Sequence, residues 1–383
     1  MYCEYEKYNL LWYIQYKMNV YDYIIVGSGL YGATTAWRAN KLGLRVLVLE
    51  KRPFIGGNIR DKIIEGINVH LYGPHIFHTK DEAIWNFTKK FVHFNHFRYC
   101  PLAQYKGSLY NLPFNMHTFY QLYGTKNPDE AMSYLKNTQV ERNVTNPKNL
   151  EEKAISMVGY KMYETLIKGY TEKQWGRKAT ELPPFIIERL PLRFTFDNNY
   201  FTDAYQGIPK EGYNYLIEKM LEGIEVKNNT DLLKEKSYWL NMAKKIIYTG
   251  SIDEFFDYCF GALEYRSLRF EHKLYEQQNV QGCAVINETD LEVPYTRSIE
   301  HKHFVFGEQP VSIVTREYPQ VWGKGCEAFY PINDERNTKR YTNYMNLANQ
   351  ECPNIIFGGR LGQYRYLNMD EVIKSAFKLK LYS

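Results

Sequence analysis

The sequence predicts an α/β chain in which a parallel βαβ domain, assembled from separated segments, is interrupted by a helical insertion and an antiparallel β-sheet region. Three observations carry this expectation. Residues 21–50 read as strand, glycine turn, helix, strand and acid. Residues 81–95, 114–137 and 150–168 carry helix-like spacing between Pro101, Pro113, Pro128 and Pro147. Short runs rich in Thr, Tyr, Phe and Val follow around 192–202 and from 265 to 330, as antiparallel strands do.

The first element is Tyr21-Asp22-Tyr23-Ile24-Ile25-Val26, apolar and β-branched like a buried parallel strand. It enters Gly27-Ser28-Gly29-Leu30-Tyr31-Gly32, after which Ala33 to Leu42 reads as a helix closed by Gly43. Leu44 to Leu49 is the second strand, ending in Glu50. In such a unit Gly27 permits the tight turn and Gly29 lets a pyrophosphate approach the backbone. Gly32 lets helix and strand pack closely. The free N–H groups of the helix N-terminus suit phosphate, and an acid at Glu50 suits ribose hydroxyls. The class is therefore α/β with a Rossmann-like domain. Further along, Gly212 to Leu221 reads as a helix and Ile246 to Gly250 as a short buried strand. The strand Asn354 to Phe357 then meets Gly358-Gly359-Arg360, and Met369 to Leu379 is the closing helix.

Composition excludes several classes. A net charge of +5, from 48 basic and 43 acidic residues, comes without a dense Lys/Arg block, so nucleic acid is not an expected partner. No apolar run reaches the roughly 18 residues a membrane span needs. Cys3, Cys100, Cys259, Cys283, Cys326 and Cys352 form no CxxC pair and no zinc spacing; they read as reduced thiols of a cytoplasmic protein. His75 and His78 are three apart beside Gly73-Pro74, off any clear helix and without a third ligand nearby, so no metal is expected. Met1 to Lys17 mixes charges into a Tyr-rich stretch unlike a signal peptide, and residues 1–17 read as a dispensable extension.

FAD is favoured over NAD by Lys51, Arg52 and Gly56-Gly57-Asn58 just beyond Glu50, and by the late Gly-Gly-Arg ending at Arg360. Four further stretches are more specific: Gly73-Pro74-His75-Ile76-Phe77-His78-Thr79, Tyr170-Thr171-Glu172-Lys173-Gln174-Trp175, Tyr295-Thr296-Arg297 and Gly359 to Tyr366. In this order, and over essentially everything after Met18, the chain resembles bacterial UDP-galactopyranose mutases.

The resemblance implies redox-neutral interconversion of UDP-galactopyranose and UDP-galactofuranose on reduced FAD. The flavin N5 would attack the anomeric carbon, and a flavin–sugar iminium would allow ring opening. It makes Arg189, Arg297 and His75 the catalytic candidates, the arginines as diphosphate clamps and His75 beside the flavin ring. Tyr170 and Trp175 become the uridine-stacking tyrosine and a mobile-loop tryptophan, and Tyr200, Tyr330 and Tyr366 line the substrate. Gly27, Ser28, Gly29, Gly32, Glu50, Lys51, Arg52, Gly57, Asn58 and Arg360 would hold FAD. It also implies a homodimer. The FAD-binding domain is then expected from 18–80, 203–264 and 336–383, the helical substrate domain with its mobile loop from 81–184, and the antiparallel sheet domain from 185–202 and 265–335. This chain departs from the family in having Asn368 where an aspartate is common, and Leu166 and Ile167 where many relatives place a phenylalanine. A flavin oxidoreductase of the amine-oxidase type and a non-catalytic nucleotide-sugar binder are the alternatives.

Overall fold

A computed structural model describes residues 20–142, 146–188, 190–323 and 325–382. Arg189 and the 1–17 extension lie outside the described residues. Strand β1 (Tyr21–Val26) leads through the glycine turn into helix α1 (Leu30–Lys41), and β2 (Val46–Leu49) follows. β1 and β2 are parallel, with Ile24 opposite Leu47. All four β2 residues are buried, because a parallel strand covered on both faces has no polar side. Gly43, at φ +75°, ends α1 in a left-handed turn that costs glycine little.

Next come the hairpin β3 (Asp61–Ile64) and β4 (Ile67–His70), then β5 (Phe77–Thr79) and α2 (Glu82–Thr88). The Asp81 carboxylate caps α2 by accepting the N–H groups of Ala83 and Ile84. Ile84 and Phe87 pack into the core that holds α1, with Phe87 edge-on to Trp37 at 5.2 Å. The first helix after residue 81 thus lies on the parallel-sheet layer.

β6 (Leu102–Tyr105) and β7 (Ser108–Asn111) form a second hairpin where the sequence reading placed only helices. Its turn, Lys106-Gly107, has positive φ at both positions (48° and 79°), the backbone that a two-residue hairpin turn demands. Then α3 (Met116–Tyr123), α4 (Pro128–Arg142) and α5 (Leu150–Val158) follow. A π-helical turn over Tyr163–Lys168 runs into α6 (Gly169–Trp175). Phe119, Leu150, Met162 and Tyr163 are at the centre of this layer's own core.

The run 192–202 is not a strand; it makes a single bridge, Leu192 to Phe114. Asp197 and Asn199 explain this: the Asp197 carboxylate accepts the Asn199 N–H in a local turn. Arg193 then donates to the carbonyls of Asn199 and Tyr200, fixing the segment as a loop.

β8 (Tyr205–Gly207), α7 (Tyr213–Met220), β9 (Glu225–Lys227) and β10 (Ala243–Tyr248) return the chain to the first layer. β11 (Tyr265–Tyr275), β12 (Val285–Glu288), β13 (Arg297–Glu300), β14 (Ser312–Val321) and β15 (Tyr330–Pro331) supply most of the second sheet. The chain closes with α8 (Glu335–Glu351), β16 (Ile355–Phe357) and α9 (Met369–Lys378).

The parallel sheet has the order β16-β10-β1-β2-β9. Side chains alternate across it: Ile25 joins the core beneath α1, α7 and α9, while Ile24 joins the opposite core with Trp239, Phe255 and Tyr344. The second sheet runs β15-β11-β14-β13-β12-β6-β7, antiparallel except where β12 meets β6. The fold is thus a Rossmann-like parallel sheet with a separate mixed sheet and a helical layer. Among the described residues no helix is long and apolar enough to cross a membrane.

Candidate active site

The glycine turn closes tightly. Gly27 has φ +98°, and a Cβ there would sit 2.1 Å from the Thr249 hydroxyl; a Cβ on Gly32 would sit 1.9 Å from the Gly27 carbonyl oxygen. α1 begins at Gly29 without a side-chain cap and with no acid in its first turn, so its first N–H groups and positive dipole end are free for an anion. Glu50, at the tip of β2, fixes the turn from behind. One carboxylate oxygen accepts the Ser28 N–H (2.9 Å) and hydroxyl (2.5 Å), the other the Arg52 N–H (3.0 Å). Ser28 therefore acts on Glu50, behind the cleft wall.

A cleft of about 330 Å³ opens in front of this turn. Gly27, Gly29, Gly32, Glu50, Lys51 and Arg52 are among its lining residues, as are Gly57, Asn58, His75 and Arg360. Gly57, at φ +55°, comes so near Gly29 that a Cβ on it would be 2.9 Å from the Gly29 Cα. The Arg52 guanidinium donates to Asn58 Oδ1 (2.9 Å), pairs with Glu327 (2.7 Å) and lies 4.8 Å over the Tyr72 ring. Its Nη1 is buried without a partner among the described residues. Two glycine backbones held open, an uncapped helix start and an orphaned guanidinium N–H are what a dinucleotide pyrophosphate requires. The residues fit that group.

His75 stands where this cleft meets a second cluster. Its Nδ1 donates to the Gly73 carbonyl at 2.8 Å, which leaves Nε2 as an acceptor. Its backbone is held on both sides: the N–H donates to His70 Nδ1 (3.2 Å) and the carbonyl accepts from Tyr213 (3.0 Å). Burial, reinforced by the neighbouring His70, Arg360 and Arg297, lowers its pKa to about 3, so the ring is neutral. His78 is occupied elsewhere, paired with Asp203 and stacked on Phe201.

The second cluster surrounds Arg297, the first residue of β13. Its Nε and Nη2 donate to the Tyr170 oxygen at 3.0 and 2.7 Å. Glu317 stands directly opposite on β14, 3.8 Å away and 1% exposed. Burial disfavours the guanidinium charge, but Glu317 and the oxygens of Tyr170, Tyr330 and Tyr99 outweigh it and hold the pKa well above its ordinary value. Burial likewise raises the phenols of Tyr170, Tyr200 and Tyr330, which therefore stay protonated. The Tyr330 and Tyr366 rings are 5.8 Å apart, and Arg360 lies 4.7 Å over Tyr366 while donating to the Leu367 carbonyl. Tyr200 meets Tyr99 edge-on at 5.5 Å.

The fold thus brings Tyr170, Tyr200, Arg297, Tyr330 and Tyr366 together, with His75 and Arg360 joining them to the glycine cleft. Trp175 instead packs against the helical core. Leu166 and Ile167 are buried in that same core, and Asn368 begins α9 with its N–H donated to Glu371. Sequence reading did not single out Glu317, Tyr99 or Lys173. Only strand pairing and the folding of distant loops reveal what they face. Among the described residues no group of three or more His, Cys, Asp or Glu is placed to hold a metal.

A Rossmann-type dinucleotide cleft opening onto a half-buried arginine among phenols suits an enzyme that combines a dinucleotide with a second, anionic ligand. Comparison with known proteins narrows this. Residues 165–366 match the UDP-galactopyranose mutase family and residues 25–91 the NAD(P)-binding Rossmann-like domain. The chain is 38% identical over 368 residues to a probable UDP-galactopyranose mutase of Klebsiella pneumoniae, covering 94% of each. It is also 38% identical over 369 residues to the dTDP-fucopyranose mutase of Escherichia coli, covering 93% of this chain and 96% of that one. The fold matches a crystal structure of reduced UDP-galactopyranose mutase with a TM-score of 0.69 at 14% identity, over 93% of this chain and 94% of the other. The chain belongs to the UDP-galactopyranose mutase family.

Proposed function

We propose that the protein interconverts UDP-galactopyranose and UDP-galactofuranose with FAD in its reduced state. The observation that carries the reading is the half-buried Arg297, charged, doubly bonded to Tyr170 and backed by the buried Glu317. A permanently charged planar fork in a low-dielectric site suits a diphosphate, and an amine oxidase has no use for one. Arg189, from the sequence motif, would be the second clamp. When bound, the reduced flavin would supply the nucleophile that displaces the diphosphate at the anomeric carbon.

The chain's own residues do the rest. The glycine turn, the α1 N-terminus and Arg52 hold the dinucleotide pyrophosphate, and Glu50 binds ribose. Neutral His75 keeps an acceptor at the flavin end without adding positive charge. Arg297 takes up the charge that develops on the leaving diphosphate, with Tyr330 and Tyr366 offering hydroxyls to its oxygens. Tyr170 provides a flat face for the base, and Tyr200 closes the sugar side against water. Cytoplasmic placement and a homodimer complete the proposal.

The equal likeness to a dTDP-fucopyranose mutase supports one second reading, the same ring chemistry on a deoxythymidine-linked 6-deoxy sugar. Supplying reduced protein with UDP-galactopyranose and with dTDP-fucopyranose, and comparing kcat/KM by chromatography, separates the two. The proposal expects UDP-galactopyranose to be preferred. Preference for the fucose donor moves the assignment to the second reading, and turnover of neither removes both.

A further inference from the structure

We infer that Lys173, which the chemistry above does not use, is a positioning residue that sets the angle at which Tyr170 meets Arg297. The inference rests on the nucleotide-sugar reading of that pair. Lys173 lies on α6, and four main-chain carbonyls of one segment share the three protons of its ammonium: Glu288 at 2.9 Å, Asp290 at 2.6 Å, Val293 at 3.0 Å and Tyr295 at 2.9 Å. An ammonium in water satisfies its protons with solvent; here the main chain of residues 288–295 replaces that shell. Gripping both ends of the segment draws it into a closed loop, and Arg297 follows two residues after Tyr295.

A glycine marks the same seam. Gly169 is four residues before Lys173, hence on the same helix face, and a Cβ on it would sit 2.0 Å from the Thr289 carbonyl oxygen. α6 therefore touches this loop twice on one stripe: by backbone contact at Gly169 and by the ammonium one turn later. Two contacts along a stripe fix both the helix's rotation and its distance. Tyr170, next in sequence to Gly169, is turned about 100° round the helix from it, and that rotation places its hydroxyl on the Arg297 fork. The clamp thus locks the helix bearing the nucleotide-facing tyrosine to the strand bearing the diphosphate-facing arginine.

The clamp also explains why a lysine occupies this place. Four acceptors converge on a single nitrogen, which suits a compact ammonium; a planar guanidinium would spread its donors over three nitrogens in one plane. Charge balance is modest, with Glu288 and Asp290 the acids nearest the ammonium, and burial lowers its pKa to about 8. The geometry, rather than an ion pair, defines its role.

The test uses the full chain loaded with flavin. UDP affinity is read by isothermal titration calorimetry, and KM and kcat with UDP-galactofuranose on the reduced protein. Lys173→Met is expected to weaken UDP binding and raise KM by about tenfold or more, in line with small misplacements of binding groups. kcat should change much less, and the flavin absorbance should be that of the wild type. Lys173→Arg should restore part of the affinity. Lys173→Gln, which keeps a polar donor, is the variant to measure if the methionine protein does not fold, with the same direction expected. Combined with Tyr170→Phe, the Lys173 change should add less than its separate effect. Unchanged UDP affinity in the Met or Gln variant, or strict additivity with Tyr170→Phe, overturns the inference. Wild-type protein that binds UDP without isomerising it defeats the mutase reading alone; wild-type protein that does not bind UDP defeats both.

Discussion

The Arg297 guanidinium donates two hydrogen bonds to one acceptor, the Tyr170 phenol oxygen, at 3.0 and 2.7 Å. An arginine fork with both arms on one neutral oxygen is held in place yet still hungry for anionic partners. Glu317 supplies the counter-charge from the neighbouring strand at 3.8 Å, beyond close hydrogen-bonding range. This keeps the half-buried guanidinium charged while leaving it open to a further anion, as a diphosphate site needs. Arg297→Ala should therefore cost about 2–5 kcal/mol of transition-state binding, a loss in kcat/KM of about 30-fold or more. Flavin content should be unaffected; loss of flavin would show that Arg297 serves the cofactor.

Tyr170→Phe removes the acceptor but keeps the aromatic face. Its KM for the nucleotide-sugar should rise by about tenfold, because a hydrogen bond to a charged group is worth about 1.5–3 kcal/mol. Tyr170→Ala loses the face as well, so its KM should rise further. Equal effects from the two variants would mean that the ring does not contact the base.

Gly32→Ala places a methyl 1.9 Å from the Gly27 carbonyl oxygen. The turn must open, at a cost of about 1–3 kcal/mol, the usual range for overpacking. The purified variant should be paler than wild type, with a lower melting temperature. A fully coloured protein of unchanged stability would show that the turn has room to spare.

Acid stability should report two buried histidines. His70 is 1% and His301 0% exposed; burial takes the His70 pKa to about 3 and the His301 pKa well below its ordinary value. In the unfolded chain both titrate near 6.5. Below that pH the unfolded state binds more protons than the native state, so stability falls as pH drops. Between pH 6.5 and 5 His70 should cost about 2 kcal/mol, and His301 acts in the same direction; the slope fades out about one pH unit above 6.5. Urea midpoints measured from pH 8 to 5 check this; a flat profile would show that the two rings are hydrated.

Much of this was legible in the residues. The βαβ unit was, because Gly27, Gly29, Gly32 and Glu50 must lie at fixed distances from one another along the chain. The late elements around Gly212–Leu221, Asn354–Phe357 and Met369–Leu379 were found to within three residues of their observed ends. The β6–β7 hairpin is not legible in this way: Lys106-Gly107 carries a turn signal, but the strands it joins are only four residues each and lie between prolines that also suit helix boundaries. The run 192–202 has the Thr, Tyr and Phe content of a strand, but the turn chemistry of Asp197 and Asn199 overrides it. Glu317 and Lys173 were invisible for a different reason. A buried charge becomes meaningful only when its partner is known, and theirs arrive from strand pairing and from a loop more than 100 residues away.

In the proposed reaction a bound, reduced flavin and a gripped diphosphate together isomerise a sugar with no net change of oxidation state. The most direct measurement follows UDP-galactofuranose and reductant together, anaerobically, with the flavin-loaded protein reduced by one equivalent of dithionite. The account predicts many turnovers to UDP-galactopyranose for that single reduction, with the flavin still reduced at the end and no activity in the oxidised protein. Flavin that is reoxidised in step with sugar consumption, yielding a reduced sugar instead of its ring isomer, would contradict it.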